Sequence, residues 1–358
     1  ACFRRRPGLM DGTMQPDLPK PRVTLRDIAR HLEVSHTTIS RALRNDLEIS
    51  KAMRDRVQSA AQAMGYKPDP MLNALAHYRR GQTRTPIAAE LAWINHWKNP
   101  KALWKFKEFN LYWKGAFAEA DRSGFRLEEF VLEKDMSLER LEKILRARNI
   151  RGILLPPRGG ESPDFRKFNW DDFCVVRFGH SFEFPHAHLV SSDQLTDGVI
   201  AFENIWKNGY RRIGLVTSSK MHTRFGAGFL YSQMKWSPKT RLPALIVKQD
   251  TIQEDRKKLK AWLKANRPDA ILTDVSELRE LLSNVGCKIP RNVGLAALSI
   301  LDGNADAGID QNSEEIGRAA IQLLISLINH NEIGIPKICR EVLVEGYWVN
   351  GKDLPPRQ

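Results

Sequence analysis

Residues 23–45, VTLRDIARHLEVSHTTISRALRN, set the tightest limit on what this chain can fold into. Thr24-Leu25-Arg26-Asp27 has the form of a capping box, a hydroxyl at the N-cap with a carboxylate three residues on, which satisfies two otherwise unpaired amides at a helix start. Leu25, Ile28, Ala29 and Leu32 then fall on one helical face. Ser35 caps a second short helix whose inward residues are Ile39, Ala42 and Leu43. Only Glu33, Val34 and that cap separate the two, so they must turn sharply against each other, the spacing of a helix-turn-helix. A third helix follows, with Ser50 as its cap, Met53, Val57, Ala60 and Met64 on one face, and Gly65 ending it.

The second helix opens with Ser35, His36, Thr37 and Thr38, side chains short enough to reach base edges and phosphates. Charge agrees with a polyanion partner. The chain carries +14 overall, and residues 1–85 hold 16 Lys and Arg against 8 Asp and Glu. More than half of the excess therefore sits in under a quarter of the chain, as a basic head on a nearly balanced body.

Other classes are narrowed by what the 358 residues contain. Such a length fits two or three domains. No apolar run approaches the roughly 18–20 residues of a membrane span. The cysteines Cys2, Cys174, Cys287 and Cys339 are scattered without metal-ligand spacing, which suits a reducing cytoplasm, no disulfide, no metal and no cofactor. There is no nucleophile elbow, phosphate-cradling glycine loop or paired His and carboxylate spacing, so no catalytic residue is assigned.

Along the chain, residues 1–22 have four prolines and little periodicity and read as a disordered leader. Residues 23–66 form the helix-turn-helix domain. In residues 67–86, Asp69 before Pro70 is a good N-cap for a helix of about two turns, too short to be stable alone. Residues 87–358 form the body. There, strand patterns at 87–94, 125–132, 151–155, 173–178, 213–217, 244–247, 270–273 and 293–298 alternate with helical ones. This is βα repetition, implying parallel sheets covered on both faces. Eight strands are too many for one six-stranded sheet, so the expectation is an α/β body of two lobes with a cleft between them.

The head resembles the lactose-repressor family of bacterial transcription regulators. The likeness rests on V-T-L-R-D-I-A, V-S-H-T-T-I-S-R, a helix ending G-Y-K-P, and a short segment with Leu75, over about 55 residues without insertion. It implies an all-α head with a hinge helix, then a two-lobed body like a periplasmic binding protein. His36, Thr37 and Arg41 become the major-groove readers, with Thr24, Ser35, Thr38 and Ser40 as phosphate positioners or caps. The residue chemistry agrees for Arg41, one turn beyond Thr37, which can donate a bidentate pair to guanine worth about 1–3 kcal/mol of discrimination. Leu75, with Leu72 beside it, becomes a wedge inserted into the minor groove by paired hinge helices of a dimer. Glu33 stands where the family usually has Gly; it either bears a left-handed conformation at about 1 kcal/mol or the turn differs.

In the body the resemblance implies a small effector, most often a sugar or nucleobase, beyond the carboxyl ends of the strands. Residues 93–113 are rich in aromatics; Trp97 and Trp104 are the candidates for stacking on a sugar, and Trp93 and Trp113 for core or interface. Arg177, Arg224 and Asp274 are the polar candidates. Ser299 lies about where the family carries an acid. The expected function is thus a cytoplasmic, homodimeric, sequence-specific repressor, its partners operator DNA and a carbohydrate effector. The rival is a cytosolic small-molecule-binding α/β protein or enzyme with an incidental basic head.

Overall fold

The computed structural model describes residues 23–43, 46, 48–66, 89–132, 136–218, 223–247, 252–301 and 305–357. The chain divides into two compact units at Asn73 and Ala74.

The first unit contains α1 (Leu25–Leu32), α2 (His36–Leu43) and α3 (Lys51–Ala63). Its core is Ile28, Leu32, Ile39, Ala42, Val57 and Ala61, two from each helix. The Thr24 capping box forms in both directions, the Thr24 amide donating to Asp27 Oδ2 at 2.8 Å while the Asp27 amide donates back to the Thr24 hydroxyl at 3.4 Å. Glu33 adopts the left-handed conformation at φ 55° and its amide closes on the Ala29 carbonyl. Of the two alternatives for this turn, the strained backbone is the one adopted: with two core residues per helix, burial outweighs about 1–2 kcal/mol of left-handed strain.

The second unit holds two six-stranded sheets. Lobe 1 comprises β1 (Ala89–Asn95), α4 (Pro100–Leu103), α5 (Lys107–Arg122), β2 (Phe125–Val131), α6 (Leu138–Ala147), β3 (Gly152–Leu155), β4 (Cys174–Phe178) and β5 (His188–Ser192). Lobe 2 comprises α7 (Gln194–Lys207), β6 (Ile213–Ser218), α8 (Thr223–Trp236), β7 (Leu245–Val247), α9 (Ile252–Asn266), β8 (Ala270–Thr273), α10 (Leu278–Asn284), β9 (Gly294–Ala297) and β10 (Gly308–Asp310). The chain then returns to lobe 1 as α11 (Ser313–His330) and β11 (Glu341–Val344), and ends in lobe 2 as β12 (Tyr347–Val349).

Strand order is β11-β5-β4-β3-β1-β2 in lobe 1 and β12-β10-β9-β8-β6-β7 in lobe 2. Apart from the pairing of β10 with β12, every pairing is parallel. The inner strands β3, β4, β8 and β9 are buried along their whole length, because helices cover both faces. In both lobes the order reverses at one place, between β1 and β3 and between β6 and β8. Those reversals open crevices at the carboxyl ends of the strands.

Each lobe is braced by a close helix pair. A Cβ at Gly317 of α11 would overlap the Tyr112 carbonyl of α5, and one at Gly228 of α8 would overlap the Leu195 carbonyl of α7. The lobes are joined by three chain passages, at Asp193, at Gln311–Asn312 and at Glu345–Gly346. The passages bond to one another: the Asp193 amide donates to the Val344 carbonyl at 2.8 Å and Asn312 Nδ2 to the Glu345 carbonyl at 2.7 Å.

Candidate functional site

In the helix-turn-helix unit the sequence places its candidate readers opposite the core. Ile39 and Ala42 turn inward, so His36 and Thr37 are exposed in the first turn of α2, with Ser40 and Arg41 half-buried one turn on. Ser35 is the cap: its hydroxyl accepts the Thr38 amide at 3.0 Å and lies 2.8 Å from the Thr38 hydroxyl. Thr24, Ser35 and Thr38 are thus committed to helix starts, which leaves their outward side available to a phosphate. Arg41 is not idle. Its Nε donates to Asp46 Oδ2 at 2.7 Å and its Nη2 to Glu48, and these hydrogen bonds push its pKa up. To reach a base edge the guanidinium must exchange both carboxylates for the base, so the charge persists while the partner changes. Leu72 and Leu75, with the whole 67–86 segment, lie outside the described residues.

In the body, the two order reversals are each bridged by a polar contact. In lobe 1, His96 after β1 reaches across to β3: its Nε2 is 3.0 Å from the Pro156 carbonyl and its Nδ1 3.0 Å from Ser162 Oγ. Burial is the largest influence on this ring and pushes its pKa down to about 4, so it is neutral at pH 7. A carbonyl only accepts, so Nε2 carries the hydrogen and Nδ1 accepts from the serine. In lobe 2, Ser218 at the end of β6 donates its hydroxyl to Asp274 beyond β8 at 2.9 Å, and its amide donates to the same carboxylate at 3.2 Å. Asp274 therefore stands at the lobe 2 crevice.

The tryptophans do something different from stacking outward. Trp97 is only 7% exposed, its Nε1 donates to the Pro157 carbonyl at 2.8 Å, and Gly159 lies so close to the ring that a Cβ there would overlap it. Trp104 stacks on Trp93 with centroids 6.1 Å apart, abuts Trp113, and donates to Glu129 at 3.1 Å. The aromatic run is the lobe 1 core and the brace around α4. Trp93 has the core place expected of it, fully buried.

Arg177, at 6% exposure, spends its donors on the loop after β4, Nε to the Ala187 carbonyl at 3.1 Å and Nη1 to Phe182 at 2.9 Å. Arg224 is exposed in the first turn of α8. Two cavities open at the carboxyl rim of lobe 1. One, of about 230 Å³, is lined by Arg158, Arg166, Phe165, Phe182 and Glu183 among others; the other, of about 380 Å³, by His96, Lys98, Met136 and Glu161 among others.

Residues 24–69 match the family described as "Bacterial regulatory proteins, lacI family", and residues 202–346 match a "Periplasmic binding protein-like domain". The HTH-type transcriptional regulator MalR of Streptococcus pneumoniae is 23% identical over 332 residues, spanning 90% of this chain and 97% of that protein. This chain carries a lacI-family DNA-binding domain ahead of a periplasmic-binding-protein-like one. The HTH-type transcriptional repressor CytR of Escherichia coli K12 is 24% identical, over 87% of this chain and 91% of its own. A solved "transcriptional regulator CelR-cellobiose complex" shares the fold, with a TM-score of 0.55 at 17% identity, covering 93% of this chain and 100% of that one. With a lacI-type head and regulator relatives along most of its length, the chain is a transcription regulator. Among the described residues no group of three or more His, Cys, Asp or Glu is placed to hold a metal, and no helix is long and apolar enough to cross a membrane.

Sequence reasoning passed over Ser218, His96, Arg158 and His180 in the body. The usable signal was position: each lies at, or within three residues of, the carboxyl end of a strand. Asp197 was missed too, and nothing local marks it. It sits in the first turn of α7, fully buried, with Oδ1 accepting the Gly346 amide at 2.9 Å and Oδ2 without a partner.

Proposed function

We propose that this lacI-family protein is a cytoplasmic repressor that binds its operator as a homodimer and releases or tightens its hold when a carbohydrate enters the cleft between the lobes. The observation that carries the DNA half is the first turn of α2. A capped, exposed helix start with His36, Thr37 and Arg41 turned away from a closed core is what a major-groove reader requires. Thr24, Ser35, Thr38 and Ser40 position phosphates, while Leu72 and Leu75 wedge the minor groove. Domain limits follow: residues 1–22 a leader, 23–66 the reader, 67–86 the hinge and 87–358 the effector-binding and dimerisation body.

The effector half is supported by the paired crevices, with Asp274 on one rim and Arg177 and Arg224 beside the cleft. Trp97 and Trp104 serve it indirectly, as the packed floor from which the loops after β1 and β3 rise. A relative of the same fold is solved with cellobiose. A ligand touching both lobes shifts their arrangement by its differential affinity, and that shift reaches the hinge. Dimerisation is supported by the exposed apolar side chains of lobe 2, Leu230, Tyr231 and Met234 of α8 and Ile246 of β7.

The deciding experiment is a gel shift with specific and random competitor DNA across a salt series. Sequence-specific binding that survives random competitor supports the reading. Equal loss to both competitors at every salt concentration makes the head a phosphate binder only. Light scattering of Met234→Glu, expected to yield monomer, tests the dimer face.

A further inference from the structure

Three arginines stand on the carboxyl-end side of the two sheets, Arg158 after β3 and Arg177 in β4 of lobe 1 and Arg224 at the start of α8 of lobe 2. His180 lies two residues beyond β4 in lobe 1; burial first, then the charges of Arg224 from lobe 2 and of Arg177, hold its pKa below the usual imidazole value, against the opposing charge of Glu341. Arg177 donates Nε and Nη1 to backbone carbonyls, and Arg158, beyond β3, has its Nε buried without a hydrogen-bond partner. The Arg158 amide donates to Ser181 Oγ at 2.9 Å, which ties this arginine to the His180 loop. Among the described residues none of Arg158, Arg177 and Arg224 forms an ion pair with a carboxylate. The neighbouring acids are otherwise placed: Asp274 holds Ser218, Asp164 holds Arg166, and Glu341 lies 3.9 Å from His180 Nδ1.

Unpartnered polar atoms collect on the same side. His180 Nε2 and Arg158 Nε in lobe 1, and Thr217 Oγ1 and Ser299 Oγ in lobe 2, are all buried at or just beyond carboxyl ends of strands and lack hydrogen-bond partners. A buried donor left unmade costs about 1–3 kcal/mol, so such atoms are places where a ligand gains most. Ser299, where the family carries an acid, removes a charge that would repel an anion.

We propose that the effector carries an anionic group, the phosphate or carboxylate of a modified sugar, seated between Arg158, Arg177 and His180 of lobe 1 and Arg224 of lobe 2. This rests on the reading of the cleft as an effector site and names the ligand's class. An anion held from both lobes gains its full set of charge-assisted hydrogen bonds only when the lobes approach, so it binds the closed arrangement better than the open one.

The test is thermal unfolding of the full chain with inorganic phosphate, glucose 6-phosphate, glucuronate, glucose and cellobiose, on wild type, Arg224→Gln and Arg158→Gln. Arg224 is exposed and its variant is expected to unfold at the wild-type temperature without ligand. Stabilisation by an anionic sugar over glucose, with apparent affinity falling at least 10-fold in Arg224→Gln, supports the proposal and tells phosphate from carboxylate. Anion stabilisation unchanged in both variants marks binding elsewhere and overturns it. Stabilisation by glucose or cellobiose, equal in all three proteins, also overturns it but leaves the carbohydrate effector standing. No stabilisation by any of the five removes both readings.

Discussion

Replacing Asp197 by Asn should make the body more stable at pH 8 while changing it little, or for the worse, at pH 5. Asp197 is buried where the lobes join, near Asp193 of the first passage, Glu345 of the third and Glu108 at the start of α5. Burial is the largest cause, and these three carboxylates add to it, raising its pKa from the ordinary 3.8 to about 7. The folded protein therefore binds a proton that the unfolded chain has released between those two values. Stability from this group is fully present below pH 3.8 and is lost as pH rises towards 7. Three pKa units correspond to at most about 4 kcal/mol. Asn keeps the oxygen that accepts the Gly346 amide, so that bond survives. Its NH2 takes the place of an oxygen without partners, a pH-independent cost of about 1–3 kcal/mol. The difference between the two pH values isolates the charge. For a body of this size about 1 kcal/mol moves the melting temperature by roughly 2–4 °C, so the pH 8 minus pH 5 difference for the variant should exceed that of wild type by several degrees. Parallel melting curves for the two proteins across pH 5–8 would refute the burial argument.

Three further outcomes are expected. Arg41→Ala should relax the base preference at one position per half-site by about 1–3 kcal/mol; an unchanged preference in a binding selection removes Arg41 from the readers. Ile39→Ala, at a fully buried position of the head, should cost about 2–5 kcal/mol, read as a lower unfolding midpoint of the head with the body transition unmoved. Leu75→Ala should weaken operator binding far more than random-DNA binding, since only a wedge in a kinked site is specific; equal losses in both titrations count against the wedge.

The elements of this fold were legible where structure is local. In the head, caps and faces depend on residues three and four apart, and Thr24, Ser35 and Ser50 all cap as their sequence positions suggest. The strands at 270–273 and 152–155 read clearly because parallel strands covered on both faces are unbroken apolar runs. Four strands did not announce themselves. β5 (HLVSS) is buried yet mostly polar, its His188 held by Arg340. β10, β11 and β12 have three or four residues each, and the last two exist only because the chain passes back between the lobes.

The chain by itself determined a three-helix reader and an α/β body of two lobes, because capping, helical faces and apolar runs are properties of neighbouring residues. Only the tertiary structure decided what the polar and aromatic candidates do. Trp97 and Trp104 looked alike to any ring that stacks on a sugar, but the fold turned them onto Gly159 and Trp93. Arg41 looked free for a base, but Asp46 and Glu48 hold it first. Asp197 is an ordinary helix-start carboxylate in sequence, and becomes a proton-binding group only where residues 108, 193 and 345 meet. Burial and charge add up over space, and a sequence orders its residues along a line.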